Sequence, residues 1–356
     1  MKIKNVYGET YRWEKPRVVT SGRGGGNTKY IYNWLSLAYL ETDEGITGVG
    51  ASMAPFEVDS IKDLLLGEDP LCIEKIYHKL TTSRLAASNI VALSAIDIAL
   101  WDLKAKVAGM PLYKLLGGVR EKLECYIAGG YYAPDKTIRD LQEEMEMYLK
   151  WGARAVKMKV GGLSAKDDAQ RVHAVRQVIG PDVKLLVDAN CGWNYSEALE
   201  FAKRTEEDLL YWFEEPLSAL DLEGFSRLAQ HTTTPLAAGE SLQGLDQQAL
   251  LMDTGAVSFI QPDACLCGGV SLVMKAGNYA QGKHIQIAPH GLQQVHVHLN
   301  CALPNAAITE FYSPTFDKLA YDAYEAPVRI NADGTVSPPE SRALPFPPAP
   351  YNENRL

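Results

Sequence analysis

The stretch AVKMKVGGLSAKDDAQRVHAVRQVIGPDVKLLVD, residues 155–188, consists of two short apolar segments with a longer amphipathic segment between them. This order predicts a strand, a helix and a second strand parallel to the first. The first strand carries Lys157 and Lys159, and the second ends at Asp188. An unpaired charge is costly to bury, so core strands rarely end in this way by chance. The strand ends therefore indicate a polar site.

The same alternation of strand and helix extends over residues 121–312. Strand-like segments occur at intervals of roughly 20–30 residues, a spacing typical of a parallel (β/α) barrel. In chain order they are CYIAGG, AVKMKV, LLVDAN, YWFEEP, LAAGES, FIQPDA, IQIAPH and AITEF. An open, doubly wound sheet is the alternative. We favour the barrel, because seven of these eight segments carry an acid or a base at the carboxyl end, and a barrel brings all such ends to one mouth.

Residues 1–120 and 313–356 do not follow this alternation. In the first region strand-like segments precede helical ones, the last of which ends at Gly109 with Pro111 just beyond. Strands followed by helices predict an α+β unit. The second region is rich in proline, and we expect it to return to the N-terminal unit. The predicted protein is thus of the α/β class, with a TIM-like barrel over residues 121–312.

The composition is that of a globular protein and argues against several classes of function. Of 356 residues, 46% are hydrophobic and 22% are charged. The net charge of -9, without a basic stripe, argues against nucleic-acid binding and for a small molecule or an ion as partner. No apolar run reaches the ~18–20 residues that cross a bilayer, so we expect no membrane partner. The lack of a signal-peptide core and of CxxC pairs among six cysteines predicts a cytoplasmic protein.

Three carboxylates, Asp188, Glu214 and Glu240, end three consecutive strands. Carboxylates that converge without a cation repel one another and raise their own pKa values. A divalent cation removes this conflict, and all-oxygen ligation favours Mg²⁺, with Mn²⁺ as the alternative, over Zn²⁺. Each carboxylate alone would more often be an ion-pair partner or a helix cap. The triplet at equivalent strand ends predicts a metal site.

Lys157 and Lys159 lie two residues apart, so their side chains point to the same side of one strand. Inside a barrel, each ammonium group lowers the pKa of the other, and a nearby Mg²⁺ lowers both further. A lysine with a lowered pKa can act as a general base. The alternative is an outward pair in solvent. We favour the interior, because Val156, Met158 and Val160 then face the surrounding helices.

A histidine and two further carboxylates complete the ring of strand ends. Asp263 ends the sixth strand and His290 the seventh, and a carboxylate against one imidazole nitrogen would orient the ring and raise its basicity. Glu310 ends the eighth strand. His296 and His298 follow at a spacing that superficially resembles a metal cluster, but we interpret them as helix residues and not as ligands.

The glycine-rich stretch GRGGGN, residues 22–27, is a poor match to a phosphate-binding loop, because no helix begins after it. A mobile lid is the better interpretation. Arg23 and Lys29 lie at its two ends and are candidates for contact with a substrate anion.

Together, these motifs resemble the enolase superfamily and, within it, the mandelate racemase-like subgroup, over nearly the whole chain. The segment SAIDIALWDLKAKVAGMPLYKLLGG is similar to the link between that family's capping domain and its barrel. KMK, DAN, EEP and GES are similar to its lysine pair and metal-ligand motifs. The resemblance implies a modified (β/α)7β barrel with an α+β capping domain over residues 1–120. It also implies that the Asp263–His290 pair is a catalytic dyad and Glu310 an electrophilic carboxylate.

The resemblance also implies a mechanism. Mg²⁺ would bind the substrate carboxylate and stabilise the enediolate formed when the α-proton leaves. Lys159 would face one side of the α-carbon and His290 the other, while Lys157 and Glu310 would hydrogen-bond the carboxylate oxygens. Asn190 would help to bind the substrate.

The fate of the enediolate leaves alternatives open. Loss of a β-hydroxyl protonated by His290 would make a dehydratase that converts an aldonate or aldarate to a 2-keto-3-deoxy acid, and we favour this outcome because most of the subgroup resembles acid-sugar dehydratases. Reprotonation would make a racemase or epimerase, and a sugar-acid lactone cycloisomerase is a further alternative. A non-catalytic metal-binding scaffold is the remote one.

The chain departs from the family in two regions that help to form the lid. GVGAS replaces a common GWGE at the end of the third cap strand, and ESRALPFPPAP stands where a PGLG motif is usual. We therefore expect the capping loops to set the substrate. We also expect a homo-oligomer, between a dimer and an octamer.

Overall fold

The computed structural model describes residues 1–84, 88–313, 324, 326–341, 344 and 355. Most of the proline-rich segment, with its expected return to the N-terminal unit, lies outside the described residues. Described residues of it contact the N-terminal unit: Glu340 pairs with Lys114 at 2.8 Å, the Leu344 amide donates to Asp102 at 2.8 Å, and Arg355 pairs with Glu9 at 3.0 Å. Among the described residues, no helix combines the length and the apolarity that crossing a membrane requires.

An antiparallel sheet begins the N-terminal unit. Its strands, in spatial order, are β1 (Ile3–Thr20), β2 (Lys29–Thr42) and β3 (Thr47–Ser52). The central strand β2 buries alternate apolar residues such as Leu35 and Leu37. This period of two is the one that a sheet with a buried face requires.

Helices follow this sheet and pack on it. They are α1 (Asp59–Lys62), α2 (Ile73–Thr81), α3 (Ile90–Ala108) and α4 (Leu112–Leu115). Helix α3 lies directly against β3, because a β-carbon at Gly50 would come within 1.8 Å of the Ala95 carbonyl oxygen. The helix ends at Gly109, where the predicted stop has a left-handed φ of 67°.

Parallel strands form the barrel that the sequence predicts. In the described part of the chain they are β4 (Leu123–Gly129), β5 (Ala155–Lys159), β6 (Lys184–Asp188), β7 (Leu210–Glu214), β8 (Leu236–Ala238), β9 (Phe259–Ile260), β10 (Gln286–Ile287) and β11 (Thr309–Tyr312). Neighbours follow chain order from β4 to β10, and β11 pairs with the other edge of β4. A parallel bridge between Ile287 and Ala306, just before β11, joins the two ends of the sheet and closes the barrel.

One helix follows each of the first seven barrel strands. Over the described residues these helices are α5 (Ile138–Lys150), α6 (Ala165–Ile179), α7 (Tyr195–Arg204), α8 (Leu222–Ala229), α9 (Gly244–Asp253), α10 (Gly269–Gly282) and α11 (Gln293–Ala302). Thr137, Ser164 and Asn194 cap the first three by accepting hydrogen bonds from backbone amides of the first turn. The result is the modified (β/α)7β barrel with an α+β cap.

Apolar side chains of the barrel strands form two layers, one among the strands and one between the strands and the helices. Polar groups occupy the carboxyl ends of the strands. Large side chains of the strands, among them Tyr126, Leu186 and Trp212, pack together in one cluster. A second cluster packs the strands against the helices, and Val156 and Met158 of β5 belong to it. At the amino end of β4, the short strand β12 (Thr335–Val336) pairs antiparallel with it. Polar side chains can therefore gather at the opposite end, which faces the cap.

Candidate active site

The three predicted metal ligands come together at the carboxyl ends of neighbouring strands. Asp188 is the last residue of β6 and lies beside Glu214, the last residue of β7, in the parallel register. Glu240 follows β8 by two residues. One carboxylate oxygen from each residue lies within 4.8 Å of the others. Asp188 and Glu214 are fully buried, and Glu240 is 9% exposed.

The electrostatics of this cluster fit a bound divalent cation. Burial, and then the Asp188 charge, raises the pKa of Glu214 to about 8. Burial opposes ionisation of Asp188 as well, but the lysines of β5 lower its pKa to about 2. The side-chain carbonyl oxygen of Asn190, beside the cluster, is buried and has no hydrogen-bond partner among the described residues. Hard oxygen donors with excess negative charge are the set that Mg²⁺ prefers.

Both lysines of β5 point into the barrel mouth, as predicted. The ammonium group of Lys157 lies 2.8 Å from Glu214 and 2.9 Å from Glu310, and Lys159 forms an ion pair with Asp188. Tyrosine rings flank both lysines: the ring centroid of Tyr126 lies 5.0 Å from Lys157, and that of Tyr131 lies 5.2 Å from Lys159.

The carboxylates of the cluster act on the two lysine pKa values in the direction opposite to the predicted effect of Lys–Lys repulsion. Burial does lower the pKa of each lysine, but the surrounding carboxylates outweigh it and hold both pKa values above the ordinary lysine value. Glu214 acts most strongly on Lys157, and Asp188 on Lys159. Lys–Lys repulsion is a smaller effect than attraction to carboxylates that arrive from other strands.

His290 and Asp263 form the predicted pair. Nδ1 of His290 lies 3.0 Å from Oδ2 of Asp263. Nε2 faces the cavity, 3.2 Å from Glu240, 3.8 Å from Glu310 and 3.3 Å from the Tyr312 hydroxyl. Burial lowers the pKa of His290, but the charges of Glu240 and Glu310 and the bond to Asp263 raise it to about 10. The ring is therefore an imidazolium at neutral pH.

The two histidines of α11 are not part of the carboxylate cluster. Nε2 of His296 accepts a hydrogen bond from the Ala264 amide at 3.0 Å, and Nδ1 donates to the Leu292 carbonyl at 3.0 Å. Burial lowers the pKa of His296 and brings that of His298 to about 3. Both are neutral residues of the helix, in keeping with the prediction.

A cavity of about 400 Å³ lies between the cap and these groups. Arg23 reaches into it from the glycine-rich loop, 3.6 Å from Glu240, 3.9 Å from Glu215 and 3.3 Å from the Ser241 hydroxyl. Lysine, asparagine, glutamate and histidine side chains form its floor, and aromatic side chains of β2 form part of its wall. The residues of both sets are Lys159, Asn190, Glu240, His290, Tyr30, Tyr32 and Trp34.

Lys29 does not join this group. Thr28, Tyr30 and Tyr32 line the cavity, and successive side chains of a strand point to opposite sides. Lys29 falls between them and is exposed. The prediction failed because it used closeness in sequence and not the alternation along β2.

The glycine-rich loop is seated on the barrel. Ser21 and Gly22 are buried, and the Gly25 amide donates to the Gly22 carbonyl at 3.0 Å, which closes a turn. A β-carbon at Gly22 would lie 2.1 Å from the Ala189 carbonyl oxygen and 2.5 Å from that of Val160. The expected lid is thus a folded turn whose first glycine fits against the ends of β5 and β6.

Glu215, Tyr131 and Tyr312 are among the site residues that were not found from the sequence. Glu215 directly follows Glu214 at a positive φ of 40°, and its carboxylate is fully buried next to Arg23. Burial, and then the Glu240 charge, raises the pKa of Glu215 to about 7. Tyr131 and Tyr312 also line the cavity. Tyr312 could have been found, since it lies two residues beyond a predicted site residue on the same strand.

The chain matches two family profiles that together cover most of its length. Residues 33–117 match the mandelate racemase / muconate lactonizing enzyme N-terminal domain, and residues 140–342 match the enolase C-terminal domain-like family. The chain belongs to the enolase superfamily and, within it, to the mandelate racemase / muconate lactonizing enzyme family.

Similar proteins within the family include a dehydratase and a cycloisomerase. The L-talarate/galactarate dehydratase of Salmonella typhimurium is 38% identical over 285 residues, which are 76% of this chain and 71% of that one. The D-galactarolactone cycloisomerase of Agrobacterium fabrum is 34% identical over 265 residues, 71% of this chain and 70% of that one. A solved structure of an L-talarate/galactarate dehydratase variant, liganded with Mg and L-glucarate, has a TM-score of 0.90 at 30% identity. It covers 100% of this chain and 92% of that one. The chain is therefore an enzyme related to both activities.

Proposed function

We propose that this enzyme is a Mg²⁺-dependent dehydratase of acid sugars, which removes the α-proton of an aldonate or aldarate and then eliminates a β-hydroxyl to give a 2-keto-3-deoxy acid. The order of strands around the barrel carries the proposal. Strands β6, β7 and β8, which end in the carboxylate cluster, lie between β5 and the β9–β10 pair. Lys159 and His290 therefore stand on opposite sides of the cluster. A substrate carboxylate held there presents its α-carbon to both groups.

Asp188, Glu214 and Glu240 would hold the Mg²⁺ ion, which when bound supplies positive charge to the substrate carboxylate and so makes the α-proton more acidic. The ammonium group of Lys157 forms one wall of this position, where it donates a hydrogen bond to a carboxylate oxygen, and Glu310, 2.9 Å away, holds that ammonium group in place. These contacts serve any reaction that begins with loss of the α-proton.

Lys159 accepts the α-proton. Asp188 holds the ammonium form of Lys159, and once the charge of Asp188 is neutralised by ligation, the buried amine loses its proton more readily. His290, an imidazolium fixed by Asp263, protonates the departing β-hydroxyl, so the proton taken at one carbon and the one donated at the next balance. Arg23 contacts the hydroxyls or the far end of the chain from the cap.

The proposal is tested by incubating the purified enzyme and Mg²⁺ with a panel of aldonates and aldarates and detecting 2-keto acid as its semicarbazone. We expect product with at least one acid sugar, loss of product in Lys159→Met, and unchanged turnover in the matched control Lys29→Met, which alters an exposed lysine. Keto acid formed equally by Lys159→Met would overturn the assignment. Conversion of the substrate to another acid, without formation of keto acid, would instead indicate an isomerase. Opening of a lactone ring would indicate an activity like that of the D-galactarolactone cycloisomerase.

A further inference from the structure

A group of three side chains, two of them buried and one partly buried, lies behind the lysine strand, on the helix side of β5. We propose that Tyr132, Asp168 and Arg171 position Lys159 and the glycine-rich loop relative to each other, and that Arg171 is a positioning residue for the base. This inference rests on the proposed function, because it concerns how accurately the base is held beside the α-carbon.

Arg171 ties the ends of two neighbouring barrel strands together. Its Nη1 donates to the carbonyl of Lys159 at 2.8 Å, and its Nη2 donates to the carbonyl of Gly130, just after β4, at 3.0 Å. Its charge is balanced by Asp168 at 2.7 Å, and its guanidinium carbon lies 4.0 Å from the ring centroid of Tyr132. Arg171 is 8% exposed. A buried guanidinium group is costly unless its N–H donors form hydrogen bonds. Two of the donors of Arg171 bond backbone carbonyls, and one of these is the carbonyl of Lys159 itself.

Asp168 holds the backbone on the other side of the base. One carboxylate oxygen accepts hydrogen bonds from the amides of Gly161 at 2.9 Å and Leu163 at 3.2 Å, in the turn that follows β5. The other oxygen accepts from Arg171 and, at 2.6 Å, from the Tyr132 hydroxyl. The chain is therefore fixed at the carbonyl of Lys159 and again just beyond it.

Tyr132 extends this group to the cap. Its backbone amide and carbonyl pair with Thr20, the last residue of β1, at 3.1 and 2.9 Å. Two residues later, Gly22 packs against the carbonyls that follow β5 and β6, and Arg23 comes next. The base and the substrate-facing arginine of the cap are thus attached to one rigid group. A displacement of about 1 Å in such a position can cost about 100-fold in rate.

Helix α6 offers a matched control for a merely structural role. Arg176 lies about one and a half turns further along the helix. Its guanidinium group also donates to backbone carbonyls, those of Gly180 at 2.7 Å, Val183 at 2.8 Å and Asp208 at 2.8 Å. These carbonyls lie before β6 and β7, at the end of the barrel away from the site. Loss of Arg176 removes comparable backbone contacts without touching the base.

The test compares Arg171→Met, Arg176→Met and Tyr132→Phe. Exchange of the α-proton for deuterium is measured in a His290→Asn background, where Lys159 remains as the proposed base. We expect Arg171→Met to lower this exchange and the kcat of the parent enzyme by about 10- to 100-fold while KM changes by less than about 3-fold. Tyr132→Phe, which removes the hydroxyl alone, should lower kcat several-fold. Arg176→Met should leave kcat unchanged, even if this variant unfolds at the same reduced urea concentration as Arg171→Met.

Crystal structures of the two arginine variants give a readout that does not depend on turnover. We expect the Lys159 side chain to move away from Asp188 in Arg171→Met and to keep its ion pair with Asp188 in Arg176→Met. An unmoved Lys159 in Arg171→Met, or equal kcat in the two arginine variants, would overturn the inference. If the parent enzyme exchanges no α-proton of any acid sugar, the proposed function fails, and the position of Lys159 alone decides the inference. If Arg171→Met does not fold, Tyr132→Phe is subjected to the same two measurements.

Discussion

The carboxylate cluster makes the stability of the protein depend on pH in opposite directions without and with Mg²⁺. Burial and the neighbouring Asp188 raise the pKa of Glu214 from 4.5 to about 8. Between these two values the folded chain holds a proton that the unfolded chain has lost. Without a metal, the free energy of unfolding therefore falls as the pH rises from about 4.5 to about 8.

The structure sets the size of this effect. Two charges at the largest separation within the cluster, 4.8 Å, repel by about 3.5 kcal/mol at an effective dielectric constant of ~20. The pKa change of Glu214, at about 1.4 kcal/mol per pH unit, gives an upper limit of about 5 kcal/mol. With Mg²⁺ bound, the ligands must be ionised, so metal affinity rises with pH. Mg²⁺ at about 100 times its dissociation constant adds about 2.7 kcal/mol.

The assay is urea unfolding at pH steps from about 5 to 8, with EDTA and with saturating Mg²⁺, for the parent protein and Glu214→Gln. With EDTA, the stability of Glu214→Gln should fall much less with rising pH than that of the parent protein. With Mg²⁺, the variant should gain much less stability than the parent. Glu124→Gln, which alters a glutamate at the amino end of β4 paired with Lys184, should retain both. A difference between the parent and Glu214→Gln that stays flat across this pH range would refute the reasoning.

Three further substitutions separate the roles of the site. His290→Asn should lower dehydration by about 100- to 10,000-fold, since it removes the acid, yet leave Lys159-dependent α-deuterium exchange detectable by NMR. Glu240→Gln should abolish Mg²⁺ binding in calorimetry, because it removes one of three ligands. Gly22→Ala should destabilise the protein to urea by about 1–3 kcal/mol and raise KM, because its β-carbon would overlap the Ala189 carbonyl oxygen.

Control variants distinguish these effects from general damage to the fold. His173→Asn alters a half-exposed histidine of α6 and should keep full turnover; the dyad assignment fails if His290→Asn keeps it too. Unchanged Mg²⁺ affinity in Glu240→Gln would remove that residue from the ligand set. Gly282→Ala, where a β-carbon meets open space, should be neutral, and equal stability of the two alanine variants would contradict the seating of the loop.

The sequence predicted those site residues whose positions follow from two rules: side chains alternate along a strand, and the strand ends of a barrel meet at one mouth. Asp188, Glu214 and Glu240 could be placed together because the carboxyl ends of parallel strands share one mouth. Lys157 and Lys159 could be placed inside because the residues that alternate with them, Val156, Met158 and Val160, are apolar. These inferences need local pattern alone.

What the sequence could not supply are contacts between segments far apart in the chain. The direction of the lysine pKa shift depends on carboxylates of three other strands. Arg23 meets Glu215 only because Gly22 seats the cap loop on the barrel. Arg171 gave no sequence signal, since an arginine on an amphipathic helix is usually a solvated residue.

In the proposed mechanism, Lys159 and His290 remove and deliver protons next to a substrate carboxylate bound at the Mg²⁺ site. The most direct measurement is NMR of α-proton exchange in D₂O, with Mg²⁺ and a panel of acid sugars, for the parent enzyme and Lys159→Met. With at least one acid sugar, we expect the parent enzyme either to place deuterium at the α-carbon or to convert the substrate to keto acid. We expect neither with Lys159→Met. No exchange and no turnover of any α-hydroxy acid by the parent enzyme would contradict this mechanism.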